Sequence, residues 1–354
     1  MPIARAATLL LFTVAIIVIL TQAAARFVSS DQLTFSANID GRNGLYLYDI
    51  HHHQLHRLIA DTAPSTALAW SPDGRQLAYV DAEGIANRSE TLMVFDTRSS
   101  TARTVFPNTI TQGDIVYPPV WSPDGSYIAF TFAALRPMEG SSLQLVTIRL
   151  NDHHISEIGL PGAAGRNHAL RWLNEAQLRY VEVNRRSVRV YDIPTQTPGL
   201  AAVDEWSVDF ARYEPPVVSH NGSHIVVAAI TAPRDEYQLF SFDLTQPTPS
   251  TLTYQSGVTE MGASWSNDSS QIAYLRYANG GPSVIVKRYE EAVGHSVDGH
   301  VFGRISPPVW SPDNHRLVYA RSQAGGFRLC VANSTSSEVA CSLFVSWIGD
   351  ITWR

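Results

Sequence analysis

From residue 27 onward the chain is written in short runs that alternate apolar and polar residues, such as SYIAFTF at 126–132 and LQLVTIRL at 143–150. A period of two sends successive side chains to opposite faces of an extended strand, so each run predicts a half-buried β-strand. No stretch after residue 26 keeps a helical spacing for more than a turn or two. The runs come in fours. In the unit that contains Trp121, PPVW is strand a, SPDG is a turn, SYIAFTF is strand b, LQLVTIRL is strand c and ISEIGL is strand d.

That unit repeats. The phrase WSPDG, allowing for decay, occupies slots at Trp70, Trp121, Trp172, Val218, Trp265, Trp310 and Trp353, at intervals of 51, 51, 46, 47, 45 and 43 residues. A period in the mid-forties with four strands per repeat is the length of a propeller blade. Proline pairs at 118–119, 215–216 and 307–308 stand just before a slot. Proline lacks an N–H and is tolerated on a sheet edge, which is where the innermost strand a of a blade lies. Within SPDG, proline pre-sets the first central turn position and glycine closes the turn. The slot tryptophans (Trp70, Trp121, Trp172, Trp265, Trp310 and Trp353) are therefore read as structural wedges between blades.

The two ends supply complementary pieces. SSDQLTFSANIDGRNGLYLYDIHHHQLHRLI at 29–59 holds strands b, c and d without a strand a, and GDITWR at 349–354 holds a strand a. Pairing them closes the ring and removes two aggregation-prone edges. The expectation is an all-β fold, a seven-bladed β-propeller over 27–354 closed by a C-terminal strand completing the N-terminal blade. It is preceded by one N-terminal apolar helix over 1–26.

The segment 1–26 changes the picture of location. Arg5 leads an apolar run from Ala6 to Ala25. About 20 such residues can span a bilayer, while the core Leu9–Leu20 has the length of a signal-peptide h-region followed by Ala23-Ala24-Ala25. Signal anchor and removed signal peptide both stand, with the anchor preferred. Either puts the propeller outside the cytoplasm, periplasmic or at the cell surface, membrane-anchored or else secreted. Cys330 and Cys341 flank a polar turn between two strands and are expected to form a disulfide there. Net charge is −6, and Lys287 is the single lysine among 26 basic residues. No basic block exists, so nucleic acid is not an expected partner.

The phrase P-x-W-S-P-D-G-x-x-[IL]-A-[YF] resembles the repeat of the TolB-type β-propeller family. Trp70–Val80, Trp121–Phe132 and Trp310–Ala320 carry it best, and LYLYDI, LMVFDT and QLFSFDL resemble that family's third strand. The resemblance covers essentially Phe27 to Arg354 and implies the fold. Such repeats also occur in the propeller gates of prolyl-peptidase-like enzymes. The translocation protein of the family carries an α/β domain ahead of six blades, a pattern this sequence departs from. No G-x-S-x-G nucleophile elbow is present.

Candidate chemistry is sparse. His51, His52, His53, His56, His153 and His154 fall on the turns between strands c and d, where adjacent side chains diverge and make a poor ligand set. No metal site and no cofactor are expected. The acidic pairs Asp204-Glu205, Asp235-Glu236 and Glu290-Glu291 are sequence neighbours, not carboxyls placed across a sugar. The b–c loops and their edges carry Arg42, Arg88, Arg136, Arg185, Arg186, Arg234 and Arg321, about one per blade, which forms a candidate rim for a partner's carboxylates. Acids on the same loops offer a competing explanation, local neutralisation. Trp206, in the aromatic stretch DEWSVDFARY, is either an exposed contact on that face or packing between blades.

These readings lead to a non-enzymatic, extracytoplasmic propeller that binds or scaffolds protein partners at the membrane surface, consistent with a subunit of a membrane complex. The other class of reading is a carbohydrate- or peptide-processing enzyme with its site in the central channel.

Overall fold

The structure, a computed structural model, describes residues 31–60, 67–83, 89–106, 113–136, 140–163, 167–196, 199–299 and 303–354. The expected apolar helix over 1–26 lies outside these residues, and no described helix is long and apolar enough to cross a membrane. The described residues form seven antiparallel sheets, six with their strands in sequence order and one led by the C-terminal strand. In the first sheet Trp347–Trp353 serves as strand a beside Gln32–Ile39, followed by Arg42–Asp49 and Gln54–Ala60. Leu33 faces Trp353 and Phe35 faces Ile351 in this pairing, so the tail does complete the sheet that the beginning leaves short.

Blade 3 shows why the prolines sit where they do. Strand a (Gly113–Trp121) pairs with strand b (Tyr127–Arg136), but the register slips between Tyr117 and Val120, across Pro118 and Pro119. A residue without an N–H can interrupt this ladder because no further strand lies on the channel side. In blade 5 the interruption splits strand a into Arg212–Tyr213 and Val217–Val218 around Pro215 and Pro216.

The turn after five of the seven slots is built by one recurring arrangement. Ser122, fully buried, donates its hydroxyl to Asp124 at 2.6 Å and accepts the N–H of Tyr127 at 2.9 Å. Ser71 with Asp73, Ser219 with Asn221, Ser266 with Asp268 and Ser311 with Asp313 do the same. Gly74, Gly125 and Gly222 hold φ of 66°, 73° and 76° at the end of that turn, where the left-handed backbone favours glycine.

Between blades, the same position of strand b is filled by a ring or branched chain without solvent access. Tyr79, Phe130, Tyr180, Val227, Tyr274 and Tyr319 form this layer, each burial worth about 1.5–3 kcal/mol. The slot indoles add a polar seam. Trp121, Trp172, Trp265, Trp310 and Trp353 each donate the indole N–H to a strand-a carbonyl of the preceding blade, at 2.9 to 3.3 Å. Trp70 departs from this by donating to the Thr34 hydroxyl. Carboxylates stitch the other direction. Glu90 accepts the N–H of Ile115, Glu214 that of Gly262 and Asp350 that of Leu68, each in the next blade. These bonds supply acceptors for strand-a N–H groups that face no neighbouring strand.

Candidate functional site

At the end of the channel where the SPDG turns emerge, strands a enclose a cavity of about 570 Å³. Its wall is made of Trp70, Trp121, Trp172 and Trp353 with prolines of the adjoining turns, and besides Thr352 three polar side chains line it: Arg171, His220 and Asn267. The seam bonds consume the indole N–H groups, so the rings are locked in place and present carbon surface to the cavity.

The three polar residues are departures from the repeat. His220 and Asn267 stand two residues after their slots, where Pro72, Pro123 and Pro312 stand in other blades. Arg171 precedes its slot, where the other blades have Ala69, Val120, Val217, Ser264, Val309 and Thr352. These breaks in the phrase are the sequence signal for the cavity's polar residues, which the recurring positions do not carry.

Asn267 is held by the next blade: its side-chain amide donates to the Ser311 carbonyl at 2.9 Å, and its backbone N–H donates to the Asn314 side chain at 2.6 Å. Burial pushes the His220 imidazole down to about 4, and the Arg171 charge adds to the same direction. A backbone hydrogen bond with Ser266 and the Asp268 carboxylate act against this shift. Its Nδ1 is buried and has no hydrogen-bond partner among the described residues. The cavity mouth thus presents a guanidinium, a neutral imidazole and an amide against flat aromatic walls. This set suits a ligand with a ring and an anionic group. No group of three or more His, Cys, Asp or Glu among the described residues could hold a metal ion.

The residues expected at the opposite rim have mixed fates. Arg42, Arg185 and Arg186 are exposed, with Arg186 3.4 Å from the equally exposed Asp209. Arg234 lies over the ring of Tyr254 at 4.2 Å. Arg88 and the side chain of Arg136 lie outside the described residues. Arg321 pairs with the buried Asp298, which also accepts the Tyr319 hydroxyl, so its guanidinium is committed inside the fold. Trp206 requires a correction as an exposed contact. Only 3% of it is exposed, its ring meets Phe242 edge-on at 5.3 Å, and it donates to the Gln246 carbonyl. Residue 206 belongs to the outer strand of blade 4, Ala201–Ser207, and its ring packs against blade 5. Cys330 and Cys341 face each other in register and are joined in a disulfide.

Comparison with known proteins gives a fold and no family. No protein-family model matches the chain, and no curated protein sequence does. Among solved structures it is similar to an oligogalacturonate lyase in complex with manganese (TM-score 0.64, 14% identity), with 86% of each chain covered. It is similar to TolB from Acinetobacter baumannii (TM-score 0.53, 15% identity), with 90% of this chain and 81% of that one covered. A prolyl endopeptidase gives a TM-score of 0.61 at 13% identity, with 91% of this chain covering 50% of that one. The chain thus spans about half of the peptidase. The manganese of the lyase structure has no counterpart ligand set here among the described residues. The expectation that the chain is not an enzyme is overturned by this company: a lyase and a peptidase carry the same propeller, and the lyase does so over most of its length. A seven-bladed propeller similar in fold to TolB, to a lyase and to a peptidase is what the coordinates and comparisons establish.

Proposed function

We propose that the chain is an enzyme acting on an acidic carbohydrate bound in the channel mouth. The observation that carries this is the juxtaposition of Arg171 with a neutral His220 in an indole-walled cavity of about 570 Å³. Flat aromatic walls suit sugar rings, and a guanidinium receives a carboxylate through paired N–H donors. A neutral imidazole can take the proton adjacent to that carboxylate, which opens the way to elimination of the neighbouring glycosidic oxygen. Free His220 is a weak base. A bound carboxylate would offset the Arg171 charge, one of the two causes that depress it, so substrate raises its basicity where basicity is needed. The lyase among the structural relatives supports this reading over a peptide substrate.

Incubation of the purified protein with uronate oligosaccharides, followed by ultraviolet absorbance of unsaturated products, tests it. The expected result is turnover that His220→Ala abolishes and that Arg171→Ala weakens mainly through KM. No binding or turnover of any uronate oligosaccharide would overturn it. The reading includes a location outside the cytoplasm, supported by the Cys330–Cys341 bridge. The exposed Arg42, Arg185 and Arg186 leave the opposite rim available to a protein partner.

A further inference from the structure

A second polar pocket lies at the other end of strand a of blade 4, His168–Asn174, away from the SPDG turns. It has a volume of about 130 Å³, and Asn167, His168, Tyr180, Glu182, Asn184 and Tyr213 contribute its polar groups. Its origin can be followed along the repeat. Two residues beyond the buried ring of strand b, blades 6 and 7 carry Arg276 and Arg321. Each of these guanidinium groups is matched by a buried carboxylate: Arg276 by Glu260 at 2.8 Å and Arg321 by Asp298.

Blade 4 puts Glu182 two residues beyond Tyr180, with the charge reversed. No cation among the described residues hydrogen-bonds it; burial pushes its carboxyl up, and the nearby Arg189 charge only partly offsets this. Arg189, its partner in the register of strand c, donates instead to Glu205 at 2.9 Å. His168, its partner on strand a, hydrogen-bonds Thr131 through Nε2 at 2.7 Å. Oε2 of Glu182 is buried and has no hydrogen-bond partner among the described residues. A shielded carboxylate oxygen without a donor is costly, and it is retained here beside a cavity.

We propose that this pocket binds a primary alkylammonium group, with Glu182 as its counter-ion. A charged NH₃⁺ brings three N–H donors. Glu182 Oε2 takes one. The Tyr213 hydroxyl oxygen, which lies 3.5 Å from the Asn167 amide nitrogen, and the Asn167 carbonyl oxygen are the acceptors at hand for the others. A quaternary ammonium of similar size brings no N–H donor to these acceptors. The site uses neither Arg171 nor His220 and stands or falls apart from the function proposed above.

Calorimetric or ligand-observed NMR titration with propylammonium chloride tests the proposal, with tetramethylammonium and potassium chloride as comparison cations. Saturable propylammonium binding is expected, weakened at least tenfold by Glu182→Gln and about fivefold by Tyr213→Phe, and unchanged by Arg171→Ala. Tetramethylammonium and potassium should neither bind nor compete at equal concentration. A second arm with N-acetyl-lysine amide distinguishes a peptide lysine from a free amine as the source. Absence of saturable binding, equal binding by folded Glu182→Gln, or equal competition by potassium would overturn it. Should Glu182→Gln not fold, unaltered binding by Tyr213→Phe would do the same.

Discussion

Asp350 offers a quantitative handle on the closure of the ring. It sits in the strand Trp347–Trp353 that completes blade 1, and its carboxylate accepts the N–H of Leu68 in blade 2 at 2.9 Å and that of Ile351 at 3.0 Å. Burial pushes its carboxyl up from 3.8 to about 6, and the two backbone N–H donors only partly counter this. The folded chain therefore holds this proton more tightly than the unfolded chain does. The contribution to stability is fully present below about pH 4 and is lost as pH rises through about 6. At 1.36 kcal/mol per pH unit, the loss amounts to at most about 3 kcal/mol, since Asp350 is only partly buried from solvent. Asp350→Asn retains an acceptor for Leu68 and removes the ionisation. Urea unfolding of both proteins between pH 4 and 8 measures the difference. The wild type is expected to lose up to about 3 kcal/mol relative to the variant across that window. A difference that stays flat with pH would refute the reasoning.

Other consequences are local. Ser122→Ala removes both turn bonds of a fully buried hydroxyl and should cost about 1–3 kcal/mol, read as a lower denaturant midpoint. Arg179→Met strands the carboxylate of Asp192, which it now grips at 2.7 and 2.8 Å. A loss of about 3–5 kcal/mol is expected, recovered in large part by adding Asp192→Leu. Replacing Cys330 and Cys341 by serine should cost about 2–3 kcal/mol, and a non-reducing peptide map of the wild type should show the two cysteines linked. The Arg321 guanidinium is matched inside the fold, so Arg321→Met should lower the thermal midpoint rather than alter any surface binding, which a melt and a binding assay compared side by side will show.

What could be read from the sequence was whatever repeats. Period-two runs, the serine–aspartate turn and proline before the slot are short-range rules, and seven copies average out the decay of any single one. The missing strand at one end and the surplus strand at the other followed from counting, and Leu33 opposite Trp353 agrees. Of the two readings of Trp206, packing between blades holds; the sequence could not choose, because its partner Phe242 is 36 positions away in another blade. Arg321 escaped for a similar reason, since its buried Asp298 comes from the outer strand of the preceding blade. The channel site was legible in principle. Arg171 and His220 are 49 positions apart, yet both depart from their repeat: Arg171 stands where every other blade has an uncharged residue, and His220 where three blades have proline. Only the ring closure brings such departures into one cavity.

The most direct test of the proposed chemistry is a pH titration of the His220 ring by ¹⁵N NMR, assigned with His220→Gln, with and without a uronate oligosaccharide. The account predicts a midpoint at about 4 in the free protein that rises by a unit or more, roughly, when the carboxylate meets Arg171. A free midpoint at the ordinary histidine value of 6.5, or one that the saccharide leaves unmoved, would contradict it.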